Sequence, residues 1–290
     1  MHPLIEKLLA DGPVITDGAW GTQMQARGLP IGGCPDEWNL THADKVQEVP
    51  QLYVDVGSQI ILTNTFRANR VALADYGLAD QVEAINRAGA EISCRAAGDK
   101  AHVFGSLGPS GKMLMMGEVS EDDLSAAFAE QAQALAAGGA HGLVIETMGD
   151  LAELKVALAA ARETGLPVVA CMCFDSGADL DRTMMGTSPE QAAEELTAAG
   201  ADVIGANCGQ GIAGYVEICR RLRSATDRPI WIKANAGIPE MVNDEPVYTT
   251  TPDQFASHGP ALVDAGVNFA GGCCGTGPEF IRALAERLGK

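Results

Sequence analysis

Basic side chains are scarce in this chain of 290 residues: 20 Lys and Arg stand against 38 Asp and Glu, a formal net charge of −18. That balance argues against a nucleic-acid groove or an anionic membrane surface as the main partner, although a local pocket can differ from the overall field. No stretch reaches the roughly 18 consecutive apolar residues of a membrane-spanning helix. Met1–Pro13 mixes acidic residues into its apolar ones and lacks the long apolar run of a secretory leader. The expectation is a cytoplasmic protein. There the eight cysteines are thiols, metal ligands or core residues rather than disulfides. The chain also lacks a low-complexity linker and any internal repeat beyond a strand–helix rhythm. With 47% hydrophobic residues it can bury one sizeable core, and residues 1–290 are read as a single domain.

What is present is a regular alternation. Short apolar runs lie at Pro13–Asp17, Gln59–Phe66, His102–Leu107, Gly142–Glu146, Pro167–Phe174, Asp202–Asn207, Pro229–Ala234 and Phe269–Cys273. Each is bounded by Gly, Pro or Asp, as a strand buried on both faces requires. Amphipathic Ala-, Leu- and Glu-rich segments separate them. Ser188-Pro189 opens one with a cap and a first-turn proline, and Gly200 closes it. Thr251-Pro252 opens another that should end at Gly266, and Ser120 caps a third. Eight such units predict an α/β fold, a single (β/α)8 TIM barrel, with an open doubly wound sheet as the alternative. Asn235–Thr251 is the longest irregular stretch and reads as a lid or pocket wall.

Barrel active sites form at the C-terminal ends of the strands. Cys208 falls there in Ala206-Asn-Cys-Gly-Gln-Gly, and Cys273 and Cys274 fall there in Gly271-Gly-Cys-Cys-Gly-Thr-Gly. Adjacent cysteines on a bent strand end can turn both sulfurs toward one ion, and a thiolate from another strand can complete the face. Zn2+ favours such sites and leaves its fourth position open when catalytic. Three thiolates on Zn2+ carry a net −1 charge, which suits an electron-rich substrate thiolate better than an activated water. The same residues can be read as core cysteines and a glycine-rich phosphate loop. Cys94, Cys171, Cys173 and Cys219 read as packing residues, and Cys34 reads as a surface thiol.

Five segments in this order and spacing are similar to the homocysteine S-methyltransferase family: Asp17-Gly-Ala-Trp-Gly-Thr22, Thr63-Asn-Thr-Phe66, Ile145-Glu-Thr-Met148, Asn207-Cys208 and Gly271-Gly-Cys-Cys-Gly275. That family includes betaine–homocysteine methyltransferases and the homocysteine domain of cobalamin-dependent methionine synthase. The resemblance runs from about Asp11 to Leu288. It implies a zinc-bearing barrel with Cys208, Cys273 and Cys274 as ligands. It also implies that Asp17, Gly18 and Glu146 hold homocysteine, mainly at its amino end, and that Asn235 is a candidate resting fourth ligand. Thr63 and Asn64 belong to the same substrate-binding set. The implied reaction is in-line methyl transfer to the homocysteine sulfur, giving methionine.

The methyl donor is less sharply indicated. A quaternary ammonium donor prefers an aromatic cage. Trp20 and Phe66 match donor-side positions of the betaine enzymes, and Trp38 could add a wall. Arg67 stands where animal betaine enzymes have a tyrosine, and Thr147 also replaces an aromatic. The long C-terminal oligomerisation segment of those enzymes has no counterpart, which leaves the oligomeric state open. Arg67 can pair with a donor carboxylate or serve as a surface residue. Glycine betaine or a related onium compound ranks first as donor. A methyl-corrinoid protein comes next, which would have to be a separate partner, and then S-methylmethionine or S-adenosylmethionine. Two readings of other classes remain: a phosphate-binding barrel with Lys233 as a Schiff-base residue, and a non-catalytic zinc- or thiol-binding barrel.

Overall fold

The apolar runs become the strands of a barrel in a computed structural model, which describes residues 1–242 and 245–290. In chain order the strands are β1 (Val14–Ile15), β2 (Ile60–Leu62), β3 (His102–Leu107), β4 (Gly142–Met148), β5 (Val168–Met172), β6 (Val203–Gly211), β7 (Ile230–Asn235), β8 (Glu240–Val242), β9 (Glu245–Val247) and β10 (Phe269–Gly272). Eight of them form one sheet in the order β1-β10-β7-β6-β5-β4-β3-β2, and every pairing in it is parallel. The sheet closes on itself through a parallel bridge between Thr16 and Ile60. There the Gln59 N–H donates to the Ile15 carbonyl at 2.8 Å. Helices follow the strands, so the architecture is the (β/α)8 barrel that the alternation predicts.

Side chains fill the barrel interior. Phe104 stacks on Trp231 at 6.3 Å between centroids, and Trp231 meets Phe269 at 5.3 Å. Val14, Ile60, Leu62, Val144, Val169, Cys171 and Val203 surround them, and the N-terminal helix Pro3–Leu8 adds Ile5 to the cluster. Gly205 makes room for the indole: a Cβ there would lie 2.6 Å from both the Trp231 carbonyl and the Cys171 sulfur. A second, larger cluster packs the helices against the outside of the strands.

The helix caps form as their residues suggest. The Ser188 hydroxyl accepts from the Gln191 N–H at 3.2 Å ahead of the helix Pro189–Ala198. Ser120 accepts from the Asp123 N–H at 3.1 Å, and Thr251 with Gln254 makes a reciprocal capping box. Two expectations are corrected. The segment from Thr251 to Gly266 is two helices, Pro252–Ser257 and Gly259–Asp264, broken at His258. Pro260 has no N–H to continue the ladder, and its ring opposes the preceding turn. The stretch Asn235–Thr251 is not irregular throughout: β8 and β9 pair antiparallel, Glu240 facing Val247. The Asn243 and Asp244 positions of that expected lid lie outside the described residues. Among the described residues no helix is long and apolar enough to cross a membrane.

Candidate metal centre and acceptor pocket

The end of β6 is bent where its register with β7 shifts between Asn207 and Gly211. Cys208 occupies that bend with φ 62°, and Gly209 follows at 66°. The Tyr215 hydroxyl fixes the bend by donating to the Cys208 carbonyl at 2.7 Å. Across the barrel mouth, the Cys273 N–H donates to the Ala234 carbonyl at 2.7 Å. The Cys274 N–H donates to Asn235 Oδ1 at 3.0 Å. These anchors bring the sulfurs of Cys208, Cys273 and Cys274 within 4.8 Å of one another, with Cys208 and Cys274 3.8 Å apart.

The spacing fits a metal. Four sulfurs around a tetrahedral zinc with bonds of about 2.3 Å lie roughly 3.8 Å from one another. The sulfurs already share charge. The neighbouring thiols, Cys274 at 3.8 Å among them, hold the Cys208 thiol far below its ordinary pKa. The interaction with Cys208 helps push Cys274 up to about 12. One thiolate is thus supported by its neighbours' protons, the role that a cation at the centre would take over. Cys173, read from sequence as a packing residue, is buried, and its thiol donates to Asp175 Oδ2 at 3.7 Å.

A cavity of about 290 Å3 opens beside the sulfurs. Gly18, Trp20, Thr63, Asn64, Phe66 and Glu146 line it together with the three cysteines. Gly18 is required by a close approach: a Cβ there would lie 2.5 Å from the Thr276 carbonyl and 2.9 Å from the Tyr53 ring. Thr63 and Asn64 also brace the wall. Thr63 Oγ1 accepts from the Ser106 N–H at 2.9 Å, and the Asn64 amide donates to the Pro35 carbonyl at 2.7 Å.

Three buried charges meet at the floor. Lys233 Nζ donates to Asp17 Oδ1 at 2.5 Å. Asp17 Oδ2 accepts from the Leu62 N–H at 2.8 Å and from Trp20 Nε1 at 3.0 Å. Burial alone would discharge Lys233, but Asp17 and Glu146 outweigh it and hold its pKa above the ordinary lysine value. Glu146 accepts from Ser106 Oγ at 2.5 Å and from the Asn207 amide at 3.3 Å. Burial pushes its pKa up, against the pull of Lys233 and Ser106. Asn207 also accepts from the Thr147 N–H and donates to Thr147 Oγ1, both at 2.7 Å. It thereby pins Thr147 at φ 59°.

Several sequence expectations meet a different geometry. Asp17 lies behind Lys233 and does not line the cavity, nor does Asn235, whose side-chain oxygen is engaged by Cys274. Among the described residues of 235–251 none lines it. Arg67 turns away to Asp75 at 3.8 Å and to the Tyr76 ring, which favours its reading as a surface residue. Trp38 is buried in the core and stacks on His42 at 4.4 Å, so it is no wall of the cavity. Cys34 is buried, not a surface thiol, and burial raises its pKa to about 11. Lys233 is ion-paired and protonated, which removes the free amine that a Schiff base needs. Ser106, which positions Glu146 together with Asn207, and Asp36 in the cavity wall have no role in the sequence reading, and Asn207 enters it only within a family segment. A lysine inside the apolar run Ile230–Ala234 was the one signal of a buried counter-ion.

Comparison with known proteins gives the family. The model of the family described as homocysteine S-methyltransferase matches residues 14–288. Methionine synthase of Mycobacterium tuberculosis is 30% identical over 300 residues, covering 97% of this chain and 25% of that protein. The Mycobacterium leprae enzyme of the same name is 29% identical. This chain therefore spans about a quarter of the length of these relatives. The homocysteine methyltransferase MmuM of Escherichia coli superposes with a TM-score of 0.81 in its metallated form, at 23% identity over 99% of this chain and all of that one. Its oxidized form gives 0.82 at 21% identity. With its family model spanning nearly the whole barrel, this chain belongs to the homocysteine S-methyltransferase family.

Proposed function

We propose that the protein transfers a methyl group to the thiol of L-homocysteine, giving methionine, with zinc held by Cys208, Cys273 and Cys274. One observation carries the reading: three sulfurs from two strand ends converge on the wall of the same cavity that Glu146 and Lys233 line. Bound there, zinc would lower the pKa of an incoming thiol from about 8.5 and hold it as a nucleophilic thiolate. The chain's own residues align the reactants. Glu146 takes the acceptor's ammonium, Thr63 and Asn64 shape the wall, and Trp20 and Phe66 face the donor. No general base is needed, because the nucleophile loses its proton before it meets the methyl carbon. Alignment of the two reactants supplies much of the rate.

The donor in this reading is glycine betaine or a related methylated onium compound. Trp20 and Phe66 supply ring surface, and the buried carboxylate of Asp36 stands in the same wall, a combination that suits a cation. A second reading has a separate methyl-corrinoid protein as donor. Its similarity to the mycobacterial methionine synthases favours it. S-methylmethionine and S-adenosylmethionine complete the panel, and the setting is the cytoplasm. The test is to incubate zinc-loaded protein with homocysteine and each donor in turn and to quantify methionine. Methionine from an onium compound supports the first reading, and methionine from methylcobalamin protein alone supports the second. No methionine from any donor refutes both and leaves a thiol-binding barrel.

A further inference from the structure

We infer that Lys233 is a positioning residue of the pocket: its ammonium occupies Asp17 and leaves Glu146 as the one carboxylate that receives the acceptor's α-ammonium. The inference rests on the proposed homocysteine chemistry and assigns the charges within it.

Three observations lead there. The first is depth. Lys233 and Glu146 line the cavity, whereas Asp17 is fully buried behind them. The second is saturation. Asp17 already accepts from Lys233, Trp20 and the Leu62 backbone, while the donors on Glu146, Ser106 and Asn207, are neutral. The third is charge. Two buried carboxylates around a single ammonium would leave one negative charge unmatched in a low-dielectric site, and an unmatched buried charge is costly. Lys233 cancels one of the two, so the floor carries a net −1, the complement of one α-ammonium. The lysine thereby assigns the acceptor's ammonium to Glu146, and Glu146 supplies the preference for an amino-acid thiol over a thiol acid that lacks the amine.

The experiment compares L-homocysteine with 4-mercaptobutanoate, the same thiol acid without the amine. Affinities are measured by calorimetry on zinc-loaded protein with no donor present. The native protein should bind homocysteine about 30-fold more tightly, the range of one charge-assisted hydrogen bond. Glu146→Gln should bring the two acceptors within about threefold. Asp17→Asn should do the same, because Lys233, released from its partner, turns to Glu146. The double variant Asp17→Asn with Lys233→Met should then restore a preference of about tenfold or more, and Lys233→Met alone should keep it. A purely structural role for Lys233 would weaken both acceptors together and would not be reversed by a second substitution. Loss of the preference in the double variant would assign the ammonium to Asp17, and its loss in Lys233→Met would show that Glu146 does not hold the ammonium unaided; either result overturns the inference. So would a native protein that does not distinguish the two acceptors. If the Asp17 variants do not fold, Glu146→Gln against Lys233→Met decides the matter. A failure to make methionine from any donor refutes the functional reading separately, since these affinities are read without turnover.

Discussion

Replacing Asn207 by alanine tests whether one buried amide holds the two halves of the site together. Asn207 is fully buried and makes two hydrogen bonds to Thr147 and one to Glu146. Its loss strands the Thr147 N–H at a left-handed backbone position and removes a donor from a buried carboxylate. A buried donor left without a partner costs about 1–3 kcal/mol, and a bond to a charged group contributes about 1.5–3 kcal/mol. Allowing for water entering the gap, the total is about 3–5 kcal/mol. At about 2 °C per kcal/mol for a chain of this length, the melting temperature should fall by roughly 6–10 °C. Calorimetric melting of metal-free protein reads this directly, and homocysteine affinity should fall with it because Glu146 loses its orientation. Asn207→Asp keeps the acceptor for the Thr147 N–H but sets a second carboxylate beside Glu146, so it should be no better tolerated at neutral pH. An alanine variant that melts within 2 °C of the native protein and binds homocysteine equally well would refute the reasoning.

Three further outcomes are expected. Serine at Cys208, Cys273 or Cys274 should lower bound zinc from about one ion per chain to a small fraction, read by plasma emission after dialysis; full retention in any of the three would remove that sulfur from the centre. Burial raises the Asp36 pKa from 3.8 to about 6, so the folded protein binds that proton more tightly than the unfolded chain does. Ionisation of Asp36 therefore weakens the fold as pH rises from about 4 to about 6, and the cost persists above. Asp36→Asn should be more stable than the native protein at pH 8 by up to about 3 kcal/mol, with the gap closing near pH 4 in urea titrations; a gap independent of pH would contradict this. Trp20→Ala should raise the apparent KM for an onium donor by about tenfold or more while changing that for homocysteine little; equal effects on both would remove Trp20 from the donor side.

The barrel was legible because each strand is a short apolar run closed by a turn residue, and local chemistry alone marks it. The cysteines were legible for a similar reason: Cys208 and the Cys273–Cys274 pair sit at strand ends between glycines, and the structure brings their sulfurs together. The pairings that sequence left unread act over long separations. The Lys233–Asp17 pair spans 216 positions, and the Asn207 contacts with Glu146 and Thr147 span 61 and 60. Nothing local in Thr147, a β-branched residue, announces its positive φ, which the neighbouring strand imposes through Asn207. Trp38 and Cys34 misled because a polar stretch of sequence suggests exposure, whereas helices packed on the barrel cover both. The break at His258 was visible in Pro260, but the capping signals on either side suggested one uninterrupted helix.

Closure of the barrel depends on a very short first strand, and one of the contacts across that seam is made by a side chain: the Leu62 N–H is satisfied by Asp17 Oδ2. A single carboxylate therefore serves as part of the scaffold's fastening and as the counter-ion of the pocket lysine. Anyone re-engineering this protein for another thiol inherits that double duty. Position 17 can change its charge, but it must keep an oxygen aimed at the second strand, or the cylinder will begin to open where its ends meet.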